Sequence, residues 1–567
     1  MEPTLIDCLE RHGADRLRSP KFTFVEDGQV SAVLTFSDLA HRARCAAAHF
    51  REICQPGDRA VLILPSGLPF IELFVGCLYA GVIAVPLHLG HSTHETSRVW
   101  RCIRNSGAKV VVCSDRCSRL LIESAGTVDT GIHWVGFDSF INGREAFQGF
   151  PRGGDALAFL QYTSGSTSAP RGVRVTHANI LANSEMIRTV FGHGEDTVMG
   201  GWLPLHHDMG LTGLVMHPIW LGGCSYFMAP SAFIQKPLRW LELVARFRIT
   251  TSGGPSFGYD LCARAAAVEE PAENLDLSCW NIAFNGAEPV RYDVIERFTR
   301  AFASRGFARS AFLPCYGLAE ATLLVCGNAR GNCRAIEVDL DKLESEHVAV
   351  APMEGRPKRT LVSCGRPAEN LAVRVVNPET REIALEGTVG EIWLSGPSIA
   401  GGYWDAPDYS HLFDQSVVPH DGGKYLRTGD LGLWQERELF ITGRLRDLII
   451  IRGRNHYPED IEFEIQNAHP AFAGMMGAAF SVRRDEDEED KVIVIHEIRR
   501  EFAMEPVPEE LYDAARHAVV RTHGLSVHRL VFVSPRTLPR TSSGKIQRHR
   551  AREQFLAGSL RVLGPDG

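Results

Sequence analysis

The run from Arg59 to Val85 constrains this chain most. After Arg59, the stretch to Leu64 is continuously apolar; Leu68–Ala80 has the length of a helix, and Val82–Val85 is apolar again. A strand buried on both faces reads as an unbroken apolar run, and strand, helix, strand in succession is the unit of a doubly wound parallel sheet. Val110–Cys113 and His133–Val135 extend the pattern. Upstream, Leu5 to Phe50 reads as a helix, a strand pair and a second helix. The strand pair is Phe22–Val25 and Val33–Phe36 about the polar turn Asp27-Gly28-Gln29, and Ser37 or Asp38 is the expected helix cap. The fold class is therefore α/β, with doubly wound sheets in a large N-terminal domain.

At 567 residues the chain is long enough for two or more domains. Its net charge of −8 argues against a general binder of nucleic acid or anionic membrane. The longest apolar run, near Ile71–Leu87, is broken by Glu72, Gly76, Gly81 and Pro86, so no membrane span is expected. The start Met1-Glu2-Pro3-Thr4 has no basic segment and no signal-peptide core. Fourteen cysteines lack paired metal spacing; Cys113 and Cys117, the closest pair, read as two reduced thiols, which fits a cytoplasmic protein.

The run Tyr162-Thr163-Ser164-Gly165-Ser166-Thr167-Ser168-Ala169-Pro170-Arg171-Gly172 lies between an apolar strand, Ala156–Gln161, and a short second strand at Val173 and Val175. A helix is expected from Asn179. Glycines allow close backbone approach, hydroxyls stand beside the backbone N–H groups, and Arg171 supplies charge, all of which suits a phosphate cradle. The Walker spacing is absent, and a solvated Ser/Gly loop has the same composition. Gly136–Phe140 imitates a phosphopantetheine-attachment string around Ser139, but it ends a strand, so a local turn is expected instead.

Downstream, several polar segments follow apolar strands. Trp202–Gly210 holds His206, His207 and Asp208, whose adjacency is wrong for metal ligation; the small and apolar Gly210–Gly223 then suits a pocket floor. Thr251–Ser256 follows an expected short strand at Ile249–Thr250. Ile282–Pro289 and Phe312–Glu320 are strands running into glycine turns. In an open parallel sheet ligands bind beyond the carboxyl ends of the strands, so these turns converge. Tyr316 offers a flat face to a purine and Glu320 a carboxylate to Mg²⁺; a core tyrosine and a solvated glutamate are the ordinary alternatives.

From Asn328 to Cys364 the texture changes, with charges clustered over Glu337–His347 and prolines and glycines after them, as in an insertion. A small β region follows. Phe440–Gly453 reads as the crossing into a second domain, whose strands are expected at Gly477–Ser481, Lys491–Glu497 and His528–Val533 with a helix at Glu509–Arg521. The acidic run Asp485–Asp490 reads as a solvated hairpin tip. Near the end, Leu538–Arg548 is a loop with Lys545 behind a glycine.

The order of Tyr162–Gly172, Phe284–Pro289, Tyr316–Glu320, Thr428–Asp430, Gly443–Asp447 and Thr541–Lys545 resembles the adenylate-forming superfamily, which includes acyl-CoA synthetases, luciferases and nonribosomal adenylation domains. Trp202–Gly210, Tyr316–Leu323, Leu361–Pro367 and Arg452–Glu462 more closely resemble its fatty acyl-AMP ligases. The resemblance spans nearly the whole chain. It implies a large domain over 1–445 with an insertion at about 329–360, and a small mobile α+β domain over 446–567. It implies a fatty acid activated with ATP and Mg²⁺, then passed to the phosphopantetheine thiol of an acyl carrier protein or synthase module, in lipid, polyketide or lipopeptide synthesis.

The residue roles come with it. Thr163, Ser164, Gly165, Ser166, Thr167 and Arg171 would hold phosphates, and Glu320 the metal. Gly286, Ala287 and Tyr316 would sandwich adenine, with Glu288, Gly317, Leu318 and Ala319 beside them. Asp430, assisted by Arg444, would accept the ribose hydroxyls, and His207 would flank the acyl carboxylate. Lys545 would bridge that carboxylate and the α-phosphate. Arg446 and Asp447 would form the hinge, and the insertion would keep the small domain from a CoA-using pose. Arg171 replaces the usual lysine, Ala319 replaces the wider superfamily's threonine, and Val85–Gly90 departs from the Pro-rich string of the family. A fatty acyl-CoA ligase and a non-catalytic lipid- or nucleotide-binding homologue are the competing readings.

Overall fold

The computed structural model describes residues 3–15, 21–90, 93–125, 131–140, 147–149, 153–163, 170–483, 490–504, 506–541 and 544–563. Two large sheets carry the first part. One has seven strands in the order Tyr403–Trp404, Gly172–Thr176, Leu157–Tyr162, Ile83–Pro86, Arg59–Ile63, Val110–Cys113 and His133–Val135, the last five parallel. The other has nine, with a parallel centre of Phe312–Gly317, Ile282–Asn285, Thr251–Gly254, Val198–Gly201, Cys224–Phe227 and Lys21–Glu26, and antiparallel strands at both edges.

The helix Leu68–Ala80 is buried almost all round because it lies between these sheets. It packs on the helix Phe36–Ile53 through Gly76, where a Cβ would stand 2.8 Å from that of Ala46. Thr35, rather than Ser37 or Asp38, caps Phe36–Ile53: its Oγ1 accepts from the Asp38 backbone N–H at 3.1 Å, since the buried Phe36 already belongs to the helix. Likewise the helix expected from Asn179 begins at His177, with Thr176 as cap and Asn179 completing a capping box. The strand expected at Ile249–Thr250 runs from Thr251 to Gly254 instead; Gly253 fits where a Cβ would stand 2.1 Å from the Phe284 carbonyl oxygen, and Gly254 packs against the Trp202 ring. Ser139 ends in a 3₁₀ turn, its hydroxyl donating to the Gly136 carbonyl at 2.6 Å. Cys113 and Cys117 are buried free thiols.

A four-stranded antiparallel sheet (Ala372–Val376, Gly390–Ser395, Leu426–Gln435, Glu438–Arg444) follows. Ala335–Asp339 and Lys358–Val362 pair only with each other and flank a short helix, Leu340–Ser345. That unit packs Val338, Leu343 and Leu361 against Leu433, Phe440 and Tyr457. After a single turn, Leu445–Asp447, a separate apolar core is drawn from Ile449 to Leu563. It joins the sheet Gly477–Val482, Lys491–Glu497, Arg529–Val533 and Val562–Leu563 to helices Pro458–Ala468 and Glu509–His523. The acidic stretch 484–489 lies outside the described residues, among which no helix is long and apolar enough to cross a membrane.

Candidate active site

The carboxyl ends of the parallel strands and the inner side of the C-terminal unit enclose a cavity of about 1810 Å³. Thr163 and Arg171 stand at its edge, the Thr163 N–H donating to the Arg171 carbonyl at 3.3 Å and closing the base of the loop between them. Ser164, Gly165, Ser166 and Thr167 lie outside the described residues. The Arg171 guanidinium lies 3.9 Å from the ring centre of Tyr409, a stack that an ammonium could not match in shape.

Tyr403 ties this loop to Glu320. Its strand pairs with Gly172 and Val173, and its hydroxyl donates to Glu320 Oε1 at 2.6 Å. Glu320 sits on the 3₁₀ turn Ala319–Ala321, with Leu318 and Ala319 beside it on the cavity wall. Gly317 is required where the chain enters this turn, since a Cβ there would meet the Leu323 carbonyl oxygen at 1.9 Å. Burial pushes the Glu320 carboxyl up, against the Tyr403 hydrogen bond. One oxygen is held by Tyr403, and a half-buried carboxylate in need of a counter-charge fits a hard cation such as Mg²⁺.

Tyr316, at the end of its strand, donates its hydroxyl to Asp430 Oδ2 at 2.7 Å. Arg444, directly across the hairpin, holds the other oxygen at 3.0 Å. Asp430 raises the Arg444 pKa further. The cavity meets Ala287, Glu288, Tyr316 and Gly317, whereas Gly286 is buried behind the wall, where a Cβ would stand 2.8 Å from the Cys315 carbonyl oxygen. Ala287 has φ 68°, a left-handed conformation that an alanine adopts at a cost of about 1 kcal/mol. Glu288 accepts from the Phe257 N–H at 3.0 Å, and burial raises its pKa.

Lys545 comes in from the C-terminal unit. Its loop is closed by the Thr541 N–H on the Lys545 carbonyl at 2.8 Å and by the Lys545 N–H on Thr541 Oγ1 at 3.1 Å. The ammonium faces the same cavity, in the field of Asp208, Glu288 and Asp430. Burial, with Arg444, pushes its pKa down, and the three carboxylates oppose that shift.

His207 Nδ1 is 2.5 Å from Asp208 Oδ1. Burial opposes ionisation of Asp208; His207 first, then Lys545, overcome it and hold the carboxyl below its usual value. Neighbouring His206 stacks on His88 at 4.7 Å and is held neutral chiefly by burial. The lining also includes Ile234, Phe284 and, from the π-helical turn Thr212–Met216, Gly213 and Leu214. Arg446 and Asp447 also line it; Asp447 Oδ2 is 3.6 Å from Arg548 Nη1.

Neither Asp208 nor Tyr403 is among the residues expected from sequence to bind or react, although a carboxylate directly after His207 is a signal for Asp208. Tyr403 carries no sequence signal, because only the pairing of its strand with 172–173 brings it to Glu320.

The family model described as AMP-binding enzyme matches residues 12–404, and that of the Disco-interacting protein 2-like AMP domain matches 446–564. The chain is 37% identical over 569 residues to the medium-chain-fatty-acid–[acyl-carrier-protein] ligase JamA of Moorena producens, covering 98% of this chain and 96% of that protein. It is 32% identical to the long-chain-fatty-acid–AMP ligase FadD32 of Mycolicibacterium smegmatis, covering 95% and 91%. A solved structure from studies of fatty acyl-adenylate ligases of E. coli and L. pneumophila superposes with a TM-score of 0.88 at 31% identity, covering 98% of each chain. The L. pneumophila fatty acyl-adenylate ligase in complex with acyl adenylate and pyrophosphate gives 0.74 at 36%, covering 99% and 97%.

Proposed function

The chain belongs to the AMP-binding enzyme family, and on that premise we propose that it is a fatty acyl-AMP ligase serving an acyl carrier protein. The observation that carries the reading is Lys545. It reaches, from a separately packed C-terminal unit, into the cavity that also holds Thr163, Glu320 and Asp430. The proposed division is a large domain over 1–445 and a small, mobile one over 446–567. The matched relatives named as carrier-protein and AMP ligases support the choice of substrate and acceptor.

The reaction has two parts. A fatty carboxylate oxygen attacks the α-phosphorus of ATP; the new P–O bond forms as the bond to pyrophosphate breaks. The carrier's thiolate then attacks the acyl carbon and AMP leaves. Negative charge accumulates on phosphoryl oxygens in the first step, so fixed cations there lower the barrier. Lys545 bridges the attacking carboxylate and the α-phosphate. Arg171 and the 163–171 loop hold the phosphates. Mg²⁺, when bound, neutralises phosphate charge, and Glu320 would hold it. Asp430 accepts the ribose hydroxyls while Arg444 and Tyr316 fix its rotamer, and Ala287 and Tyr316 flank adenine. His207, oriented by Asp208, flanks the acyl carboxylate.

The insertion packs between the small β region and Tyr457, and this supports a restraint on the small domain that disfavours CoA. Free cysteines throughout support a reducing, cytoplasmic setting. The competing acyl-CoA ligase is separated by one experiment. A fatty-acid panel with pyrophosphate detection should find an acid-dependent signal, and the acyl group should then appear on holo-carrier protein much faster than on CoA. Equal rates to CoA would make the protein an acyl-CoA ligase; no acid-dependent pyrophosphate would leave the non-catalytic reading.

A further inference from the structure

Away from the cavity's catalytic wall, three segments far apart in sequence bring Glu344, His456 and His523 together. Glu344 lies on the insertion helix Leu340–Ser345, His456 ends the strand Arg454–His456, and His523 ends the helix Glu509–His523. All three are essentially inaccessible to solvent, at 0%, 2% and 3% exposure. Both Nδ1 atoms lie beside the same carboxylate oxygen, Glu344 Oε1: that of His523 at 3.0 Å and hydrogen-bonded to it, that of His456 at 3.1 Å without a hydrogen bond.

Two features separate this from an ordinary buried hydrogen-bond cluster. The His456 Nδ1 is buried and 3.1 Å from a carboxylate oxygen, yet it has no hydrogen-bond partner, because the direction is wrong. Two donor atoms close together but not aimed at each other are what a shared metal ion produces. Tetrahedral ligands about 2.05 Å from a zinc ion are roughly 3.3 Å apart, close to the separations found here. The other oxygen, Glu344 Oε2, accepts from Arg454 Nη2 at 3.0 Å, and Arg454 is itself held by Asp341 at 2.7 Å. Such a contact keeps a carboxylate monodentate and fixes its orientation, as an outer-shell partner does.

We propose that Glu344, His456 and His523 form a binding site for a divalent cation of the zinc class, joining the insertion helix to two elements of the C-terminal unit. Two imidazoles and one carboxylate are a zinc donor set that leaves a fourth position. His523 and Thr522 border the large cavity, so water can supply that ligand. The site is separate from Glu320 and the adenylation residues, and its occupancy does not depend on the proposed reaction.

The test uses the full-length, untagged protein. After stripping with a chelator and dialysis, it is titrated with Zn²⁺ and, in parallel, with Co²⁺, whose visible d–d absorption reports geometry. One equivalent should bind, with tetrahedral-type Co²⁺ absorption lacking thiolate charge transfer, and melting temperature should rise with Zn²⁺. His456→Asn and His523→Asn each keep a polar, hydrogen-bonding side chain and should weaken binding by at least ~10–100-fold, the loss that even an outer-shell change brings. Their circular dichroism in the absence of metal should match wild type, which separates lost ligation from misfolding. The proposal is overturned if no equivalent binds, if thiolate charge transfer dominates, or if both variants bind as wild type does. In the first case the three residues are a hydrogen-bonded latch only.

Discussion

Replacing Lys545 with alanine tests the proposed chemistry most directly, because it removes one cation from one half-reaction. The ammonium sits among Asp208, Glu288 and Asp430, with Arg444 opposing it. A unit charge about 4 Å from an oxyanion is worth ~4 kcal/mol at an effective dielectric constant near 20. The side chain is only half-buried, so solvent screening reduces this to about 3 kcal/mol, or a factor of ~100–1000 in rate. That is also the range seen when one donor is removed from an oxyanion hole. The expected outcome is a fall of that size in fatty-acid-dependent ATP–pyrophosphate exchange, with ATP affinity changed by less than about tenfold. Transfer from chemically prepared acyl-adenylate to holo-carrier should change little, since on the proposed reading the Lys545 loop has withdrawn before the departing AMP takes up its charge. Exchange within about threefold of wild type would remove the lysine from the mechanism. Equal losses in both halves would instead mean that the substitution disturbs the loop, which is closed by two hydrogen bonds between Thr541 and the Lys545 backbone.

Gly317→Ala forces a Cβ to within 1.9 Å of the Leu323 carbonyl oxygen. It should cost about 2–3 kcal/mol in chemical denaturation and raise the Mg²⁺ requirement, because the Glu320 turn must move. Tyr403→Phe leaves a half-buried Glu320 oxygen without its donor; a severalfold shift in Mg²⁺ dependence is expected in initial-rate assays. Asp460, 3.0 Å from Arg359, has a pKa raised chiefly by burial to about 6. A raised folded-state pKa contributes stability that is complete below the unfolded value and is lost as pH rises through about 6. Wild-type stability relative to Asp460→Asn should therefore fall by about 1.3 kcal/mol between pH 5 and pH 7 in urea titrations, and a rise would refute the assignment. Deleting residues 335–355 should increase acyl transfer to CoA; no gain with a folded variant would separate the insertion from acceptor choice.

Much of the architecture was legible because buried parallel strands leave no polar alternation to confuse. Val110–Cys113, His133–Val135 and the helix Leu68–Ala80 have the bounds their apolar runs suggest. Helix starts were less legible. Thr35 takes the cap from Ser37 and Asp38, and Thr176 starts its helix ahead of Asn179, because the burial of Phe36 and His177 decides where each helix begins, and burial is a tertiary property. Thr251–Gly254 shows the same limit from the other side. Two glycines look like a loop in sequence, yet they form a fully buried strand because Phe284 and Trp202 leave no room for side chains. In the site, a residue near the end of a strand could be found by pattern, as Tyr316 was; Asp430, in the middle of the strand Leu426–Gln435, came only with the family resemblance. Tyr403 could not, since its two-residue strand has meaning only beside Gly172. The three-segment cluster about Glu344 is equally silent, because no spacing rule links positions 344, 456 and 523.

How the lysine loop can move as one piece follows from Arg548, three residues beyond Lys545. Glu462 holds its guanidinium at 2.7 Å and Glu459 at 2.8 Å, both on the helix Pro458–Ala468. The loop is thereby fastened to its own unit rather than to the large sheets, so a rotation of that unit would carry the ammonium with it. Asp447 adds a longer contact to the same arginine at 3.6 Å, from the turn where the two parts of the chain join. On the proposed reading, charge repulsion then sets the direction of travel. Once pyrophosphate has left, the site holds one fewer anion for Lys545 to offset, while Arg444 remains and continues to disfavour a second cation. Burial of the ammonium is then less well compensated, and withdrawal of the loop becomes the cheaper state. The Glu344 contacts to His456 and His523 must either yield to that rotation or travel with it, so on the same reading the insertion helix limits how far the unit turns.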